Sequence, residues 1–77
     1  MNISNDNDAL IAAAPDLLEA VAALVQWLDE EDAGSGAKNG DPKAQEIRTA
    51  WFLRQTELCS RAQILGRVAL AKARGEA

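Results

Sequence analysis

Histidine and tyrosine are absent from this 77-residue chain, and cysteine occurs once, at Cys59. Without histidine no Ser–His or Cys–His dyad can form. Zinc sites that combine histidine with paired cysteines are closed to it as well. A single cysteine excludes a disulfide within the chain, and a free thiol fits a reducing cytoplasm. No stretch approaches the ~20 consecutive apolar residues of a membrane span. The first eight residues are polar and acidic, which does not suit the basic leader of a secretion signal. These absences lead us to expect a non-enzymatic protein of the cytoplasm, with no catalytic residue, metal, cofactor or membrane contact.

Glycine and proline are few but concentrated. Pro15 and Pro42 are the two prolines, and Gly34, Gly36 and Gly40 fall in one ten-residue stretch. That stretch, residues 32–41, reads as a flexible loop. Elsewhere alanine and leucine dominate, which favours helix. Residues 1–5 read as frayed, with Asn5 as an N-cap for a short helix over 6–13. Pro15 should break or kink the chain and start a second helix over 15–31. Asp41-Pro42 is a helix start, and a third helix over 42–74 ends at Gly75, a natural C′ residue. The expected fold is all-α and a single domain. It is an antiparallel helical hairpin with a short extra N-terminal helix, assembled into a helical-bundle oligomer. A simple hairpin turn would put Pro15 near Leu58.

In the second helix Leu17, Val21, Leu24 and Leu28 form one stripe at helical spacing, the expected core face. The third helix is apolar on several sides. Ala44, Ile47, Trp51, Leu58, Ala62, Leu65 and Ala69 form its main stripe. Leu53, Cys59, Ile64, Gly66, Val68 and Leu70 lie on others. A helix apolar on several faces is buried on several faces. A core this small rarely supplies more than about 3–5 kcal/mol unaided. Those six residues are therefore candidates for an interface between copies.

Charge is unevenly distributed. The chain carries a net −4, with nine acids and one base in residues 1–41 and seven bases and three acids in residues 42–77. An acidic half beside a basic half suits two paired helices. It argues against nucleic acid as a partner, since nearby acids offset the basic helix. Asp29, Glu30, Glu31 and Asp32 form a candidate docking patch for a basic partner. They do not make a calcium loop, because Ala33 and Gly40 fall where ligands are required. Gly34–Gly40 lacks the spacing of a phosphate loop. Arg48, Arg54 and Arg61, with Trp51, Phe52 and Trp27, are candidate binding residues. Guanidinium groups beside aromatic rings can hold a phosphate or a base. The same arginines can equally pair with the acidic helix.

Ala9–Ala20 (ALIAAAPDLLEA) resembles the opening of a group of small phage and prophage accessory proteins. Leu70–Glu76 (LAKARGE) resembles their ending. The two segments cover roughly a quarter of the chain, and residues 29–68 depart from that pattern. The resemblance implies a phage-encoded accessory protein that acts stoichiometrically on the host. It would bind a host defence or regulatory protein, or sequester a nucleotide signal. A structural or assembly part of the phage particle is the alternative.

Overall fold

The computed structural model describes the backbone of residues 3–76 and the side chains of residues 7–76. Two helices are present, α1 (Ile3–Ala33) and α2 (Ala44–Ala73), with no strand among the described residues. They lie side by side in a rod of 62 × 17 × 15 Å. Asp16 reaches Lys72 and Glu30 reaches Arg54, so the helices run antiparallel.

The separate N-terminal helix is not there. Residues 3–5, expected to fray, are helical, and Asn5 is inside α1 rather than capping it. Residues 1–2 lie outside the described residues. Pro15 sits within a continuous helix. A proline deprives the carbonyl four residues back of its donor. Here that carbonyl belongs to Ile11, and both Ile11 and Pro15 are exposed, so water can serve it. Ala13 before the proline and Ala20 after it are both buried against α2, which holds the two segments in one line.

Both helix ends are set by local chemistry. Gly34, at φ 76°, donates to the carbonyls of Glu30 and Glu31 and closes α1 two residues later than the sequence indicated. The carboxylate of Asp41 accepts from the Lys43 amide at 2.9 Å, shaping a turn that delays α2 to Ala44 rather than Pro42. At the far end Gly75 donates to Lys72 and Glu76 to Ala71, the paired bonds of a Schellman cap. Gly75 therefore fills its expected role, at φ 75°.

The register differs from a simple hairpin turn. Pro15 does not lie near Leu58, because its neighbour Asp16 pairs with Lys72 at 2.6 Å. The loop causes the shift. Arg48 donates to the Asn39 side chain at 3.3 Å, and Ser35 and Ala37 are partly buried. The connection thus runs back along the first turns of α2 instead of reversing in place.

The largest departure concerns the core. The covered positions of α1 are Ala13, Asp16, Ala20, Ala23, Trp27 and Glu30, in alternating steps of three and four. On α2 the stripe runs through Ala44, Ile47, Trp51, Gln55, Leu58, Ala62, Leu65 and Ala69, again in steps of three and four. That spacing is the seam of a coiled pair. The main stripe expected for α2 is the one used, with Gln55 added. The Leu17–Leu28 stripe of α1 is not. Leu17 is half-buried, and Val21, Leu24 and Leu28 are 55%, 42% and 49% exposed. Small alanine side chains allow closer approach of the two backbones, so the hairpin closes on α1's alanines and leaves its leucines beside the seam. Among the described residues the buried side chains are alanines and Gln55, and only Ala13 and Ala69 are completely enclosed.

Replacing Pro15 with Ala should stabilise the fold by about 2 kcal/mol in chemical denaturation. Proline costs roughly 3 kcal/mol against alanine inside a helix, less up to about 1 kcal/mol for the greater freedom of the unfolded chain. No gain would mean that the helix is interrupted there.

Candidate functional site

The seam divides the hairpin into two flanks of opposite character. Along one, three ion pairs bridge the helices. The Arg54 guanidinium binds Glu30 through two of its nitrogens, Nε to Oε1 and Nη2 to Oε2, the latter at 2.9 Å. Lys72 meets Asp16 at 2.6 Å, and Arg61 approaches Glu19 at 3.9 Å. Gln26 also donates to Glu30, at 3.2 Å. The Arg54 hydrogen bonds hold the Glu30 carboxyl below its ordinary range, and the same contact raises Arg54.

The other flank has no such bridge. Leu17, Val21 and Leu24 of α1 face Cys59, Gly66 and Leu70 of α2 across an open groove of about 290 Å³. Gln63 is the groove's one polar side chain, and no charged residue lines it. Gly66 lies in mid-helix, where glycine costs up to about 1 kcal/mol relative to alanine. A Cβ placed there would meet nothing within 4 Å. The hairpin itself therefore gives no reason for a glycine.

The groove continues past Trp27 and Cys59 into a second hollow walled by Trp51, Phe52 and Gln55. The rings of Trp51 and Phe52 meet edge to face, with centroids 5.0 Å apart. Trp51 Nε1 and both polar atoms of the Gln55 amide are buried without a partner. An unpaired buried polar group costs roughly 1–3 kcal/mol. A molecule covering this hollow could offer the missing donors and acceptors.

The structure brings some sequence candidates together and separates others. Trp27, Trp51 and Phe52 share the second hollow. Arg54 and Arg61 lie on the ion-paired flank, away from the aromatic rings, and are held by acids of α1. Arg48 is engaged with the loop. Of the acidic run, Glu30 turns inward to Arg54 while Asp29, Glu31 and Asp32 stay exposed. Cys59, Gly66 and Leu70 line the apolar flank, whereas Leu53, Ile64 and Val68 face solvent elsewhere on α2. Gln55 had no place among the sequence candidates. Its signal was positional, because it falls between Trp51 and Leu58 in the three–four rhythm.

No cluster of acidic or thiol side chains among the described residues could hold a metal ion. No helix among them is long and apolar enough to cross a membrane. The molecule is an all-helical hairpin whose distinctive features are uncovered apolar surfaces. The chain belongs to the family of Salmonella phage P22 protein Y8K6, which it matches over residues 1–77. It is therefore a phage protein. No curated protein and no solved structure matches it.

The Glu30–Arg54 pair predicts a pH signature. Because the folded carboxyl titrates below its unfolded value, its stabilisation is present above the unfolded pKa and disappears as pH falls through the folded one. Glu30→Gln should lower the thermal midpoint slightly at pH 7. The difference from wild type should start to fall as pH drops through the ordinary glutamate range, disappear at still more acid pH and shrink in high salt. A difference that persists undiminished in acid would assign the effect to packing instead.

Proposed function

We propose that this phage protein is a non-enzymatic accessory protein that binds a host defence or regulatory protein stoichiometrically in the cytoplasm of the infected cell. The observation that carries this reading is a ridge on the outside of α1. Ile11, Leu18 and Val25 recur every seven residues on the face turned away from α2, and are 71%, 73% and 47% exposed. Helical repeats of this kind are how an amphipathic helix enters a groove on a partner. Asp29 and Asp32 follow Val25 by one and two turns on the same side, and both are exposed. The complementary partner surface is an apolar groove with a basic rim at one end.

Sequestration of a nucleotide draws less support. It needs arginines free to meet phosphate, yet Arg54 and Arg61 are already answered by Glu30 and Glu19.

Affinity purification from infected cells tests the proposal. A host protein should be recovered in fixed ratio with the wild type and lost with Leu18→Glu. A central anchor of this size is worth about 2 kcal/mol or more, so affinity should fall roughly 30-fold. Recovery of the protein at fixed copy number in purified phage particles, with no host protein bound, would support a structural role instead.

A further inference from the structure

We infer that the apolar flank between α1 and α2 is the seat of a second copy of this chain, and that two hairpins close over it into a four-helix bundle. This goes beyond the host-binding proposal and does not depend on it.

Surface area makes the first argument. The chain exposes 5869 Å², whereas a compact protein of its mass, 8.2 kDa, exposes roughly 4,500 Å². A compact body of two such chains would expose roughly 7,500 Å². Closure into a fully compact pair sets a ceiling on the order of 4,000 Å² in total, and half of that still meets the size of a stable interface. A single chain whose buried side chains, among the described residues, are alanines and one glutamine needs this cover in its resting state. A second copy is the one molecule always present wherever the first is made.

Charge selects which face meets the copy. Self-association brings one surface against its own copy, so a surface of a single charge sign repels itself, and charges already paired within the chain would have to be desolvated to join an interface. The flank of Leu17, Val21, Leu24, Cys59, Gly66 and Leu70 carries no charge and can face its own image without penalty. The outer ridge of α1 ends in the exposed acids Asp29 and Asp32, and a second copy laid parallel along it would oppose acid to acid. Gly66 supplies the third argument. It is the one helix-interior glycine and has empty space over it in the hairpin. A facing helix at close range gives that glycine its purpose.

Light scattering during size exclusion, on the purified chain alone, tests the inference. The wild type should elute at twice 8.2 kDa from low micromolar concentration upward. Gly66→Arg places a bulky cation in the groove, in space the single hairpin leaves empty and with better helix propensity than glycine. It should reduce the mass to one chain. Leu18→Glu, on the outer ridge, should leave it at two, which separates this inference from the host-binding proposal. If Gly66→Arg unfolds as it dissociates, the wild type still decides the matter. Its Cys59 thiol should react slowly with a thiol reagent at high protein concentration and faster on dilution. A one-chain mass for the wild type at hundreds of micromolar, a mass of three or more chains, or a dimer unaffected by Gly66→Arg with Cys59 equally reactive at every concentration would each overturn it.

Discussion

An alanine-rich face of α1 meets a mixed face of α2 along the hairpin, and that contact decides which of the larger side chains are covered. Alanine lets two helices approach closely, but each buried methyl contributes less than about 1 kcal/mol, against ~1.5–3 kcal/mol for a buried leucine. Ala13 and Ala69 are completely enclosed while Leu18 and Ile11 are more than two-thirds exposed. The seam therefore fixes direction and register more than it supplies stability. The larger apolar groups are left on the flanks and outer faces, available to other molecules.

Ionic contacts reinforce this division. Acids at Asp16, Glu19 and Glu30 meet bases at Lys72, Arg61 and Arg54 along one flank only. Surface pairs of this kind are individually worth little. Their arrangement matters more, because it occupies one side of the hairpin with polar groups and leaves the opposite side apolar. The proposed role as a binding protein calls for surfaces that are distinct from one another. This fold supplies an uncharged flank, an outer ridge ending in acids, and an aromatic hollow with unpaired polar atoms.

Much of this was legible in the sequence. Alanine and leucine gave the helical class, the clustered glycines gave the loop, and Gly75 marked the end of α2. The opposite charges of the two halves anticipated the ion pairs, and the several apolar faces of α2 anticipated its incomplete burial. The misread features share one physical origin. A leucine stripe is normally the strongest sign of a core face, and Leu17–Leu28 satisfied it. Alanine is ambiguous in a sequence, since it suits an exposed helix surface and a close helix contact equally. Only the rhythm of Ala13, Asp16, Ala20, Ala23 and Trp27, matched by that of Trp51, Gln55, Leu58 and Ala62, distinguishes the two. Pro15 misled because a proline's cost depends on what serves the freed carbonyl, and that depends on which side of the helix faces water. The register was hidden because the loop's path along α2 is a tertiary contact.

The central proposal is that one chain does not cover its own apolar surface and shares its stability with another molecule. The most direct measurement is the thermal unfolding midpoint as a function of protein concentration. Folding coupled to association makes that midpoint rise with concentration by mass action. The account predicts a steady rise of several degrees across a hundredfold range. A midpoint that stays constant over that range, with fully cooperative unfolding, would contradict it.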